Sequence, residues 1–393
     1  MAKSLPFDYA ARNLLRRPLR TLLTASSCGL VAALFASTTA FVQGLGESAA
    51  NQGREDVAIV LSRVAGADVL RSTVAAGVAQ EIAAGVRGIA RPGGVPAVSP
   101  EIHVGTRLRL GPTPAPGAPD PIHEGFVRGV AREAFLVHDA VTIVEGRPPG
   151  PGEVLVGRLV PARLGVPAEQ FAVGETLRFE NGEFRVSGRF AAPGTTIESE
   201  LWAPVQDLKS LTRRDDVSAI FLRLERPEDM AQLELFTHKR LDLELDAIRS
   251  SVYYAELAAW FTPIQALAWV LAAMMAAAAL FGAANTLNAA VQDRVRELAA
   301  LRAVGFRGLA LVVALAQEGL VLAALGGLVG VALARLLIEG AAVQIAMGAF
   351  QLEVGAGAAL TAFAAVLALG LLAVLPAALR VLRMPIALAL KES

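Results

Sequence analysis

The chain has 393 residues, 54% hydrophobic and 18% charged, with 36 Lys+Arg against 36 Asp+Glu and a mean hydropathy of +0.51. Ordinary soluble domains are about 25% charged, so a wholly soluble chain is excluded and part of the sequence belongs in lipid. Cys28 is the only cysteine, which also excludes an internal disulfide framework.

In chain order, residues 1–20 hold Lys3, Arg12, Arg16, Arg17 and Arg20 against Asp8 alone. Leu14 and Leu15 beside Arg12, Arg16 and Arg17 predict a short amphipathic helix at the cytoplasmic interface, and Pro18 separates it from the first apolar run. That run, Thr21 to Gly46, is charge-free for 26 residues, enough for a first transmembrane helix, since about 20 apolar residues cross a bilayer. A cleaved signal peptide is the alternative. The run outlasts the usual h-region of about 7–15 residues and continues past Cys28, which favours an uncleaved anchor.

Glu47 to Glu256 form a segment of 210 residues with 23 basic and 29 acidic groups, long enough to bury its own core. Val74, Val78, Ile82, Val86 and Ile89 recur at helical spacing and predict a helix over about 72–90. Strands are predicted at 57–61, 95–98, 102–110, 125–130, 154–156, 176–179, 184–190 and 219–224, so a middle lobe of about 125–200 is mostly strand. Gly111 to Pro121, with its run of prolines, reads as an exposed loop with polyproline II character. A second helix is predicted over about 227–250.

Leu257 to Gln292 is uncharged for 36 residues, about 54 Å of helix against a hydrocarbon core of ~30 Å. We divide 257–288 into a stalk and transmembrane helix 2, with the bend at Pro263. Residues 289–307 form a loop with helical pattern. Gly308 to Ala334 is a third span interrupted by Glu318, 335–353 a short external loop, Val354 to Leu379 a fourth span, and 380–393 a tail. Basic residues gather at the N-terminus, in the loop (Arg294, Arg296, Arg302, Arg307) and in the tail (Arg380, Arg383, Lys391). Positive-inside bias places these three in the cytoplasm and the 210-residue domain outside. The expected architecture is α+β, with a four-helix transmembrane domain, one span N-terminal and three C-terminal, and a large mixed α+β extracytoplasmic domain between spans one and two.

Several chemistries find no support. No G-x-x-x-x-G-K-[ST] nucleotide loop, no H-E-x-x-H and no G-x-S-x-G occurs. His103, His123, His138 and His238 lack metal-ligand spacing, and a domain with six more acids than bases does not suit nucleic acid. We therefore expect no catalytic residues, no metal and no cofactor in this chain.

The loop is more informative. Val291, Val295, Leu298 and Leu301 fall on one helix face, with Asp293, Arg294, Arg296 and Glu297 around it, and Gly305-Phe306 reads as a Schellman stop. A connector lying on lipid is one reading, although mixed charge signs disfavour it. The other is a rigid helix that seats its apolar ridge in a partner's groove. In span three, Glu318 faces protein or water as a coupling or packing acid, or else lies near the interface and snorkels. Gly319, Gly326, Gly327 and Gly330 form small-residue stripes suited to close helix packing.

These segments resemble the FtsX/MacB-type, or type VII, ABC transporter permeases. The resemblance is carried by Arg12-Asn13-Leu14-Leu15-Arg16-Arg17-Pro18-Leu19-Arg20, by Asn285-Thr286-Leu287 through Arg294-Val295-Arg296-Glu297-Leu298 to Leu301-Arg302-Ala303-Val304-Gly305, and by Glu318-Gly319 with Gly326-Gly327-Leu328-Val329-Gly330. Pro376-Ala377-Ala378-Leu379-Arg380 with Pro385, and Gly152 to Gly157 and Val186 to Phe190 of the large domain, extend it. It implies a non-catalytic inner-membrane permease that works with a second permease copy or paralogue and two copies of a separate cytoplasmic ATPase, which holds the ATP and Mg. Val291, Asp293, Arg294, Val295, Arg296, Glu297, Leu298 and Arg302 would couple to that ATPase. Membrane lipid and a periplasmic adaptor or substrate chaperone are further implied partners. The implied function is mechanotransmission that exports or extracts a lipid, lipoprotein or peptide. Activation of a periplasmic hydrolase is the alternative within the family, and a membrane-anchored sensor or adhesion protein without an ATPase is the alternative outside it.

Overall fold

The structure, a computed structural model, describes residues 18–66, 68–115, 119–345 and 348–383. The basic helix expected over 5–17, the centre of the Pro-rich loop at 116–118 and the tail from 384 lie outside the described residues. The chain divides into two compact units. One comprises the described residues of 1–43, 262–340 and 352–393, the other those of 44–261 and 341–351.

Four helices are long and apolar enough to cross a membrane. We label the helices α1 (Pro18–Gln52), α2 (Val78–Gly85), α3 (Val205–Thr212), α4 (Met230–Lys239), α5 (Ser250–Ala259), α6 (Thr262–Gln292), α7 (Val295–Ala303), α8 (Gly308–Ile338) and α9 (Ala356–Arg383). The candidate spans lie in α1, α6, α8 and α9. The helix is interrupted by a turn at Trp260 and Phe261, and Pro263 falls in the first turn of α6. A proline is harmless there because first-turn amides have no intrahelical partner. The long uncharged run is therefore two helices rather than one bent helix.

In the first unit, glycine sets how closely the helices approach. A Cβ on Gly326 or Gly330 would strike α1 at Ala25, Cys28, Gly29 and Ala32, and one on Gly319 would lie 3.0 Å from the Gly370 carbonyl of α9. A Cβ on Gly327 would lie 3.0 Å from the Phe363 ring of α9. The small-residue stripes of α8 thus serve two neighbours, Gly326 and Gly330 toward α1, Gly319 and Gly327 toward α9. Such contacts let backbones pack closely where no hydrophobic force distinguishes helix from lipid.

The second unit is built on a ten-stranded sheet. Its strands are β1 (Val57–Ser62), β2 (Val98–Leu110), β3 (His123–Val130), β4 (Thr142–Gly146), β5 (Glu153–Gly157), β6 (Thr176–Phe179), β7 (Gly182–Ala191), β8 (Leu201–Pro204), β9 (Ala219–Arg223) and β10 (Leu245–Arg249). They run β10-β1-β9-β2-β3-β8-β5-β7-β4, with β6 pairing β2 and β7. The β3–β8 and β5–β7 pairs are parallel, the others antiparallel. At the tip of the β6–β7 hairpin, Glu180 and Asn181 take φ of 46° and 63°, as a primed two-residue turn requires, and Phe179 stacks on Phe184 at 4.3 Å. A further hairpin, Ala342–Ile345 with Gly348–Gln351, belongs to this unit.

Two helix expectations are corrected. The first helix shrinks to Val78–Gly85, because Val74–Ala75 pairs with Asp216–Val217 and Val86 is already extended. The second ends at Lys239. Glu244 reverses the chain at φ 47°, and Leu245–Arg249 pairs with β1 with Leu245 and Ala247 inward. A spacing of four between Leu241 and Leu245 cannot be told from helix without knowledge of that partner strand. The strands at 142–146 and 201–204 escape the sequence reading because their place is set by long-range pairing, with β7 and with β3 and β5.

The ends of the Pro-rich loop are pinned. Arg178 donates from Nη2 and Nη1 to the Asp120 carboxylate at 2.6 and 3.2 Å, and from Nε to the Gly111 carbonyl at 2.9 Å.

An ionic cluster lies within the sheet. Arg128 of β3 donates to Glu200 from Nε at 2.6 Å and Nη2 at 2.7 Å, and to Glu101 of β2 from Nη1 at 2.8 Å. His138 Nε2 lies 2.8 Å and His103 Nε2 3.4 Å from the Glu101 carboxylate. Trp202 Nε1 donates to Glu200 at 3.1 Å. Glu101 has no exposure and Arg128 2%. Burial alone would push the Glu101 carboxyl up. His138 and Arg128 beside it, with hydrogen bonds from both histidines, outweigh this and hold it well below the usual carboxylate range.

Candidate coupling site

The candidate residues gather where α6 passes through residues 293–294 into α7 and then α8. Asp293 N–H donates to the Ala289 carbonyl at 3.0 Å, and Arg294 leaves helical geometry at φ −117°, ψ 17°, so that α7 starts afresh at Val295. At the far end, Phe306 N–H donates to the Leu301 carbonyl and Gly305 N–H to that of Arg302, each at 3.1 Å, with Gly305 at φ +104°. This is the Schellman stop that the Gly-Phe pair predicts.

The apolar ridge does not face outward. Val291 is 1% and Leu298 4% exposed, both in one cluster with Leu311, Leu315, Val374 and Val381 of α8 and α9. Val295 is half-buried. Short connections hold a nine-residue helix against the two spans, and those spans satisfy its apolar face before any partner can. This corrects the expectation that Val291, Val295 and Leu298 form an external docking ridge. The surface turned outward is Asp293, Arg296, Glu297, Ala300 and Val304. Sequence periodicity finds which residues share a face but not which side of that face is already occupied.

Two side chains tie the connection to the spans. Arg294 Nη1 donates to Glu318 Oε1 of α8 at 3.3 Å, with side-chain exposures of 15% and 5%. Glu318 is therefore buried against protein and does not snorkel. The space beside the pair, lined by Ala290, Val291, Leu298 and Ala314, is about 10 Å³, no larger than the volume needed by one water. Arg302 Nη1 donates to the Val381 carbonyl near the end of α9 at 3.2 Å. α7 is thus fastened to α8 before its first residue and to α9 near its last. Gly319 lies next to Glu318, and its missing side chain lets α9 approach at that level. Gly326, Gly327 and Gly330 stand further along α8 and are packing residues.

The chain matches the family described as MacB-like periplasmic core domain over residues 21–234 and that described as FtsX-like permease C-terminal over 269–386. No curated protein matches. Among solved structures it is similar to the periplasmic region of MacB from Actinobacillus actinomycetemcomitans, at 13% identity and a TM-score of 0.39, over 54% of this chain and 97% of that one. It is also similar to the extracellular domain of the noncanonic ABC-type transporter YknZ from Gram-positive bacteria, at 11% identity and a TM-score of 0.37, over 49% of this chain and all of that one. The two family matches follow one another in order and take in most of the sequence, with a candidate span at the start of the first and three within or beside the second. The chain belongs to the FtsX/MacB-type ABC permeases and is a multi-pass membrane subunit of an ABC transporter.

Proposed function

We propose that this permease couples ATP hydrolysis by a separate cytoplasmic ATPase to movement of its extracytoplasmic domain, and that α7 is the coupling element. The observation that carries this reading is the fastening of α7 at both ends to different spans, through Arg294–Glu318 and Arg302–Val381. Its opposite face presents Asp293, Arg296, Glu297, Ala300 and Val304. A helix so held passes a push on its outer face to α8 and α9 with little give, because packed interiors resist compression. In this reading both termini and α7 lie in the cytoplasm, a second permease copy completes the membrane unit, and the work is done on a periplasmic or membrane-embedded substrate. ATP and Mg are held by the partner.

The test is co-purification with the cognate ATPase, together with its turnover in nanodiscs. Reversing the outer charges, Arg296→Glu with Glu297→Lys, should release the ATPase while the permease stays folded. Clashing interfacial charges cost several kcal/mol. Glu318→Gln should retain the ATPase and lower the stimulated turnover, because the contact surface is intact and the tether to α8 is weakened. Full binding and full stimulation in the charge-reversal variant would overturn this reading.

A further inference from the structure

α8 and α9 leave an open groove of about 780 Å³ at the end of α8 opposite α7. Leu328, Val331, Leu336, Leu360 and Phe363 line it. Leu328 is 60%, Leu336 80% and Leu360 69% exposed. Both helices are candidate membrane spans, so the medium that meets this groove is acyl chain. Leu328 to Glu339 covers eleven helical steps, about 16 Å, or about half of a ~30 Å hydrocarbon core. The groove is as deep as one leaflet.

Its mouth is not apolar. Arg335 lies in the last turn of α8 and Glu339 caps it. Both are exposed and both line the groove. Arg335 Nε donates to the Val354 carbonyl at 3.2 Å, which holds the guanidinium at the rim and leaves its terminal nitrogens as further donors. Among the described residues no ion pair joins Arg335 to Glu339. Residues four apart on a helix stand about 5–6 Å apart at Cβ, a spacing that suits a phosphate and an amine separated by two carbons.

We propose that this groove is a binding site for a phospholipid with a zwitterionic primary-amine headgroup, as in phosphatidylethanolamine. One acyl chain lies along Leu328, Val331 and Phe363, the phosphate accepts from Arg335, and the ammonium donates to Glu339. A choline headgroup has no N–H to give to Glu339, and a glycerol headgroup has no positive charge to set against it. The lipid serves as a bound component of this leaflet, and the inference holds whether or not α7 contacts an ATPase.

The experiment is native mass spectrometry of the full-length, delipidated protein titrated with phosphatidylethanolamine, phosphatidylcholine and phosphatidylglycerol of identical acyl chains. Phosphatidylethanolamine should occupy one site about three- to fivefold more tightly than the other two, the range that exposed charge contacts supply. Arg335→Gln should weaken binding of all three. Glu339→Gln should abolish the preference for the ethanolamine headgroup over glycerol while leaving phosphatidylglycerol binding intact or improved. Both side chains are exposed, so each variant should keep its thermal midpoint, and Leu328→Trp, which fills the groove, should reduce occupancy by every lipid. Equal affinity for the three lipids, or a preference unchanged in Glu339→Gln, would overturn the proposal.

Discussion

Glu101 has no solvent exposure, and its charge persists because His138, His103 and Arg128 surround it. Removing one partner from such a cluster leaves an uncompensated buried charge and costs about 3–5 kcal/mol. Glu101→Gln should therefore lower the thermal midpoint of the detergent-solubilised chain at neutral pH, and a midpoint equal to wild type would show that the cluster is not structural. The pH dependence has a definite sign. The folded Glu101 value is depressed, so its stabilisation is fully present above the unfolded value of about 4.3 and is lost as pH falls toward the folded value. His103 is lowered by burial and by Arg128. Below about 6.5 the unfolded chain binds a proton that the folded imidazole resists, so this group too weakens the fold in acid. Thermal scans at pH 7.5, 5.5 and 4 should show a monotonic fall, with a shallower acid limb in Glu101→Gln.

At the scale of elements, close approach in the first unit depends on residues without side chains. Gly330 meets Gly29 and Ala32 of α1, and Gly326 meets Ala25 and Cys28. A branched side chain at Gly330 cannot be absorbed by a flexible neighbour, because the nearest atoms are the Gly29 backbone and the rigid Ala32 Cβ. Gly330→Leu should separate α1 from α8 and cost at least the ~1–3 kcal/mol of overpacking. Gly282 has nothing within 4 Å of a Cβ, so Gly282→Ala should be neutral or slightly stabilising through helix propensity. Thermal unfolding of the two variants side by side checks the contrast, and equal midpoints would remove packing as the role of the α8 stripe. In the second unit, the end of α1 is held by side chains. Gln52 exchanges hydrogen bonds with Thr196 at 2.7 and 2.9 Å, and Ser250 Oγ donates to the Gln52 carbonyl at 2.8 Å.

For the whole molecule, the orientation rests on the distribution of arginines about the spans. Ser210 on α3 and Ala300 on α7 are both exposed. Ser210→Cys should react with a membrane-impermeant maleimide in intact spheroplasts, whereas Ala300→Cys should react only after permeabilisation. Native Cys28 is buried against α8 and gives little background. Labelling of Ala300→Cys from outside would reverse the topology and with it the site assigned to the ATPase.

Charge-free runs of 26 residues or more specify spans by themselves, because a peptide in hydrocarbon must satisfy its own hydrogen bonds and the helix does so locally. The Schellman stop at Gly305 was equally legible, since it needs only a positive φ and a hydrophobic residue after it. The spacing of Gly319, Gly326, Gly327 and Gly330 foretold close packing without naming the partner. What the tertiary structure alone decided was direction and partnership. It turned Val291 and Leu298 inward onto α8 and α9, paired Glu318 with Arg294, made 245–249 a strand by giving it β1, and drew Glu101, Arg128, His138 and Glu200 into one buried cluster from four places in the chain. Local pattern fixes which residues share a face, whereas the free energy of what that face meets, a span, a strand edge or an opposite charge, is set by residues far away in sequence.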